Sequence, residues 1–179
     1  SSSIILFIAL IIPMMLIAVA TKLTSKGPII FWSDRVGVNN RIFRMPKFRS
    51  MIEETPSLAS HLLKEPDSYL SPIGFFLRST SLDELPQLIS VLRGDMSFVG
   101  PRPALFNQDD LIALRTEKKI ESAIPGITGW AQVNGRDQLT IIDKVAFDEE
   151  YILRQSFWFD MKILGMTFIK VIKGVGVNH

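Results

Sequence analysis

Seventeen consecutive residues, Ile4 to Ala20, carry no polar side chain, and Pro13 stands near their middle. Such a segment must lie in lipid or be covered by the rest of the chain, so it restricts the fold before any other residue is considered. As a straight helix it reaches about 26 Å, slightly short of a hydrocarbon core of about 30 Å. An interior proline removes one backbone hydrogen bond and presses its ring on the preceding turn, which predicts a kink. Thr21, Lys22, Thr24, Ser25 and Lys26 close the segment. These residues leave three readings open: a plain spanning anchor, a bent helix that enters the membrane and returns to the same face, and a signal peptide. The last is weakened because Ala18-Val19-Ala20 is the one small-residue cleavage pattern.

With 179 residues, 47% of them hydrophobic, the chain can pack one domain of ordinary size but not two. The expected division is a membrane segment over 1–26 and a single domain over 27–179. Ser1 to Ser3, without an initiating methionine, carry no expectation of structure. The net charge is only +2, so the basic residues act by position and not by excess, and a nucleic-acid partner is not expected. The absence of cysteine excludes disulfides and thiolate metal sites.

Pro28–Trp32 and Arg41–Met45 lean toward strands around Gly37-Val38-Asn39-Asn40, which predicts a hairpin. Arg35, Arg41, Arg44, Lys47 and Arg49 gather there, either as a solvated basic face or as a surface for anionic headgroups or a phosphorylated substrate. Met51–Tyr69 is polar and proline-punctuated, expected as helix and loop. Ser81–Arg93 reads as one helix with Leu82, Leu85, Leu88, Ile89 and Leu92 on a stripe, stopped by Gly94. Asn107–Glu121 and Ile141–Arg154 read as helices, and Pro125–Asp137 as a glycine-rich polar loop. Phe157–Lys173 is amphipathic. Trp158, Met161, Leu164, Phe168 and Ile172 share one face and Asp160, Lys162, Thr167, Lys170 and Lys173 the other, which suits an interfacial helix or one packed on the core.

The chemistry-bearing pair is Asp83-Glu84, between Arg78 and the rigid "GPRP" of Gly100–Pro103 that carries Arg102. Capping accounts for part of it: Ser81 and Glu84 have capping-box spacing, Asp83 is a possible N-cap, and Pro86 suits a first turn. Capping needs one acid, and this stretch offers two. A helix N-terminus favours an ionised carboxylate, and a fixed carboxylate can attack phosphorus to give an acyl phosphate. Repulsion from the phosphate is then relieved by Mg²⁺, which takes one or two carboxylates plus phosphate oxygens, and by bidentate arginines. Only His61 and His179 exist, so a histidine triad or metal cluster is not expected. There is no Walker A pattern, "GVGVN" is only a fragment of a dinucleotide loop, and adjacent carboxylates are too close for glycosidase chemistry.

Taken together, the proline-broken apolar segment, "FRMPKFRSM" at 43–51, "RSTSLDELPQLISVLRGDMSFVGPRP" at 78–103, "PGITGWAQVNGRD" at 125–137 and "FWFDMKI" at 157–163 resemble the monotopic polyprenyl-phosphate phosphoglycosyl transferases, bacterial sugar transferases that start glycoconjugate assembly. The resemblance covers nearly the whole chain. It implies an α+β, mostly helical, compact membrane-associated domain with an N-terminal re-entrant helix and amphipathic interfacial helices, at the cytoplasmic face of the bacterial inner membrane. It also implies transfer of a sugar-1-phosphate from a UDP-sugar to undecaprenyl phosphate, with release of UMP, through a phosphosugar on Asp83. Glu84 matches the Mg²⁺-binding acid, and Arg78, Lys47 and Arg102 match basic positions around the phosphates. Gln132, Asn134 and Arg136 match the loop that faces nucleotide or sugar. The small size leans toward an N-acetylated amino sugar. Two departures stand out: Ile12 precedes the proline where the family commonly has serine, and no basic stretch precedes the apolar segment. The rival expectation is a non-catalytic membrane-anchored module for anionic lipid or a partner protein, in which Asp83 and Glu84 only cap a helix.

Overall fold

The computed structural model describes residues 2–52, 55, 66–135 and 138–173. It is an α+β chain, mostly helical, with two small two-stranded sheets. The apolar segment forms α1, Ser2–Thr24, a single helix that continues across Pro13. Among the described residues no helix is long and apolar enough to cross a membrane. The C-terminal half of α1 is held by the domain: Ile17 packs with Phe48 and Leu77, and Met14, Ala18, Ile73, Leu82 and Leu85 surround them. Its opposite side, with Ile12, Met15, Leu16, Val19 and Leu23, is exposed.

The expected hairpin is present and longer than predicted: β1, Ile30–Val36, runs antiparallel to β2, Ile42–Phe48, with Ile30 opposite Phe48 and Val36 opposite Ile42. Asn39 and Asn40 take the left-handed conformations that turn the chain, which asparagine tolerates. The chain then reaches α2, Gly74–Ser79, whose last turn carries Arg78. His61, like most of the Met51–Tyr69 stretch, lies outside the described residues. At its end Pro66–Tyr69 form a 3₁₀ turn.

Ser81–Arg93 is not one helix. Leu82–Gln87 form a 3₁₀ helix containing Pro86, and only then does α3, Leu88–Arg93, begin. Gly94, with φ of 85°, ends α3 in the left-handed conformation expected of its cap. Because a 3₁₀ turn advances faster around its axis than an α-turn, the leucine stripe does not stay inside. Leu92 is exposed, while Gln87 and Ser90 are buried.

β3, Ser97–Val99, pairs in parallel with β4, Gly126–Thr128, and the crossover between them holds α4, Asp109–Glu117, followed by a 3₁₀ turn at Ile120–Ser122. The stretch expected as a glycine-rich loop is therefore a strand followed by a short helix, α5, Trp130–Asn134. The glycines are there for contact: a Cβ at Gly126 would lie 2.1 Å from Gly100 N, and one at Gly129 would lie 2.1 Å from Gly100 O. α6, Ile141–Arg154, has the predicted bounds, with Thr140 capping it by accepting from Asp143 N. α7, Phe157–Lys173, packs Phe159 and Ile163 with Val99, Trp130, Val133 and Tyr151 in the main core. On α7 the expected polar face is divided: Asp160 accepts from the Tyr151 hydroxyl at 3.0 Å and Thr167 Oγ1 lies 2.7 Å from Thr128 Oγ1, whereas Lys162 is exposed. Trp158, Met161, Phe168 and Ile172 face outward.

Gly74 sets where α2 begins, and thus where Arg78 falls. A Cβ there would sit 2.0 Å from the carbonyl oxygen of Ser50, so the backbone must move to admit it. We expect Gly74→Ala to lower stability by about 3 kcal/mol, read as the midpoint of thermal or denaturant unfolding. A variant as stable as the wild type would show that this approach is not required.

Candidate active site

Glu84 is the point on which three segments converge. Its Oε1 accepts from Lys47 Nζ of β2 at 3.1 Å and from Arg102 Nη2 of the Gly100–Pro103 loop at 2.8 Å. Asp83, beside it in the 3₁₀ helix, is buried at 8% exposure. Burial pushes the Asp83 carboxyl above its ordinary range; Lys47 opposes that shift, Glu84 adds to it, and Arg78 and Arg102 oppose it. Lys47 is pushed below the usual lysine value by its own burial, against the pull of Glu84. The structure thus gathers Asp83, Glu84, Lys47, Arg78 and Arg102 into one electrostatic neighbourhood.

A further cation belongs with them. Arg35 donates through Nε to Ser33 Oγ at 3.0 Å and through Nη1 to the Pro103 carbonyl at 3.2 Å. Burial and the charge of Arg102 lower it to about 10, against the pull of Glu84, so it stays charged at neutral pH. The register explains the sorting of the basic run. Arg35 faces the same side as its partner Phe43, and Lys47 the same side as Phe31, whereas Arg44 pairs with Asp34 and falls on the other. Arg44 instead lies over the Trp32 ring at 5.4 Å, Arg49 donates to the Lys26 carbonyl at 2.9 Å, and Arg41 is exposed. Of the two readings of this basic run, a solvated face fits Arg41 and Arg44, which are exposed, whereas Lys47 lies at the acid pair. Hairpin parity was the signal that separates Arg35 and Lys47 from them.

Capping does not explain the two acids. Ser81 has φ of 56° and makes no side-chain cap, and Glu84 points its carboxylate at the cations instead of at the backbone of Ser81. Gln132 and Asn134 sit on α5, where Gln132 donates to the Ile127 carbonyl at 2.9 Å and Asn134 to the Trp130 carbonyl at 2.8 Å. The strand that leads into α5 meets the start of the Arg102 loop through the backbone, Gly100 N donating to Thr128 O at 2.9 Å. Arg136 lies outside the described residues.

No group of three or more histidines, cysteines or acids gathers among the described residues. A divalent cation would depend on Asp83 and Glu84 together with oxygens of a bound phosphate. That donor set fits Mg²⁺, which is commonly held by one or two carboxylates plus substrate phosphate.

Residues 1–174 match the family described as bacterial sugar transferase. This chain belongs to that family. It is 41% identical over 183 residues to an undecaprenyl-phosphate glucose phosphotransferase of Komagataeibacter xylinus, covering 96% of this chain and 34% of the relative. It is 40% identical over 161 residues to the uncharacterized sugar transferase EpsL of Bacillus subtilis, covering 88% of this chain and 77% of the relative. It is 37% identical over 177 residues to a UDP-N-acetylgalactosamine-undecaprenyl-phosphate N-acetylgalactosaminephosphotransferase of Aeromonas hydrophila, covering 96% and 42%. The sugar transferase chain thus spans about a third of the length of several curated relatives it matches.

Two stability measurements check this geometry. Ser81→Gly removes a left-handed non-glycine residue and should raise stability by up to about 1 kcal/mol, where loss of a true cap would lower it. In a double-mutant cycle, Arg102→Ala and Glu84→Gln should couple by roughly 1 to 3 kcal/mol in denaturant unfolding; additive losses would mean the pair does not act together.

Proposed function

We propose that this chain transfers a sugar-1-phosphate from a UDP-sugar to undecaprenyl phosphate, with Asp83 as nucleophile. The observation that carries the reading is the buried Asp83 carboxylate beside a Glu84 already neutralised by Lys47 and Arg102. An aspartate next to a free acid would repel a diphosphate. Here the cations outnumber the acids around it, so an anionic substrate meets net positive charge. The names of the relatives support the reactants.

In the first step an Asp83 carboxylate oxygen forms a bond to the sugar-bearing phosphorus, and the phosphoanhydride bond to the uridylate breaks, releasing UMP with the electron pair. In the second, a phosphate oxygen of undecaprenyl phosphate forms a bond to the same phosphorus. The bond to Asp83 then breaks, regenerating the carboxylate and giving undecaprenyl diphosphosugar, a product suited to begin glycoconjugate assembly. Splitting one transfer into two displacements lets a single set of cations serve both. Arg78, Arg102 and Lys47 hold phosphate oxygens, and Arg35 holds the loop that carries Arg102. The family resemblance assigns contact with nucleotide or sugar to Gln132, Asn134 and Arg136, of which Arg136 lies outside the described residues. Mg²⁺ held by Glu84 would supply further neutralisation of the transferring phosphoryl charge when bound.

Undecaprenyl phosphate keeps its headgroup at the membrane surface, so the domain works at that depth. The exposed apolar side chains of α1, of Phe75 and Phe76 on α2, and of Trp158, Phe168 and Ile172 on α7 support a domain seated in one leaflet; the cytoplasmic face is the one that the family resemblance implies. In this reading α1 enters that leaflet and does not cross it.

The test is UMP release with Mg²⁺ by detergent-solubilised chain, without and then with undecaprenyl phosphate. The panel contains UDP-glucose, UDP-galactose and N-acetylated amino-sugar donors. A stoichiometric burst without acceptor and turnover with it are expected for one donor. Asp83→Asn should reduce both by at least about 10³-fold while leaving unfolding little changed. Undiminished release by that variant would remove Asp83 from the role. No release by the wild type from any donor would favour the non-catalytic membrane module.

A further inference from the structure

Four consecutive carbonyls anchor the loop that carries Arg102. Pro101 O accepts from Gly126 N at 3.0 Å, Arg102 O from Arg115 Nη1 at 2.8 Å, Pro103 O from Arg35 Nη1 at 3.2 Å and Ala104 O from Val36 N at 2.9 Å. Two of these donors are backbone amides, already set by β4 and β1. The other two are guanidiniums at the ends of long side chains, which fix nothing unless they are themselves fixed. Arg115 is fixed. From the last turn of α4 its Nε and Nη2 both donate to Asp148 Oδ2 of α6, at 3.0 and 2.6 Å. Asp148 is 1% exposed and the Arg115 side chain 12%.

A buried ion pair is a weak means of stabilising a fold, because desolvation of both charges offsets their attraction. What Arg115 adds is direction. Three of its N–H groups are committed to two acceptors on different segments, and the planar guanidinium ties those segments at one relative orientation. One acceptor is the carbonyl of the residue whose own guanidinium meets Glu84 at 2.8 Å. Neither Arg115 nor Asp148 takes part in the ion pairs on Glu84.

We propose that Arg115, held by Asp148, is a positioning residue. It sets the Arg102 carbonyl, and through it the direction in which the Arg102 guanidinium reaches Glu84 and a bound phosphate. The catalytic half of this statement rests on the function proposed above; the structural half does not.

The experiment has two arms on the full chain in detergent. The first is hydrogen exchange of peptides spanning 102–105 in the wild type and Arg115→Lys, which keeps the charge and loses the fork. Faster exchange confined to that loop, with peptides from α6 and α7 unchanged, is expected. Unchanged loop exchange would overturn the proposal, as would a uniform rise, which signals only lost stability. The second is a cycle on kcat/KM for UMP release. Arg115→Lys should cost roughly 10- to 100-fold in the wild-type background. In an Arg102→Ala background it should cost less than about 2-fold, because the residue it acts through is gone. Equal losses in both backgrounds would overturn the proposal. Should Arg115→Lys fail to fold, the double variant Arg115→Gln with Asp148→Asn removes both buried charges together and enters the same two arms. Absence of UMP release in the wild type would defeat the proposed function alone, and the exchange arm would still decide whether Arg115 holds the loop.

Discussion

A single carboxylate oxygen, Glu84 Oε1, draws the hairpin, the 3₁₀ helix and the Arg102 loop to one place. Lys47 and Arg102 lie on segments far apart in sequence, and neither has a hydrophobic reason to approach the other. Two cations side by side repel, and each loses hydration as it is buried. Glu84 makes their approach tolerable, and they make its burial tolerable. Removing Glu84 would leave two buried cations side by side without compensation, so their approach depends on it. Asp83 profits without joining: it sits beside a neutralised acid and within the field of Lys47, Arg78 and Arg102, which hold down a carboxyl that burial raises.

Around this knot, rigidity comes from backbone approach and not from large side chains. The parallel pair β3 and β4 is only three residues long on each strand, yet Gly100, Gly126 and Gly129 let the chains come closer than any Cβ would permit. Gly100–Pro103 leaves this pairing directly, and its prolines limit where the backbone can go next. The loop enters the site already aimed, with Arg35 and Arg115 on its carbonyls.

The helices show how packing and surface divide the apolar residues. α7 is apolar on two sides: Phe159 and Ile163 fill the main core, while Trp158, Phe168 and Ile172 face outward. The polar residues between them are used inward, Asp160 with Tyr151 and Thr167 with Thr128. The same division appears on α1, where Ile17 packs with Phe48 and Leu77 while Leu16 and Leu23 remain exposed.

Much of this was legible in the residues. The strand-leaning runs around Gly37–Asn40 marked the hairpin, Ile141–Arg154 was read as a helix with the bounds that α6 has, and Gly94 marked the end of α3, because each is decided by neighbours in sequence. The acids and basic residues of the site were named from the same source, since their chemistry restricts what they can do. Other features were decided only by tertiary structure. Whether Ser81 caps or turns depends on where the chain must go next, and the face of α7 that packs depends on Tyr151 and Thr128, which are distant in sequence. The split of one basic run into Arg35 and Lys47 at the site and Arg44 outside depends on strand register. Local propensity does not carry that information, because a long-range partner outweighs preferences worth only a few tenths of a kcal/mol.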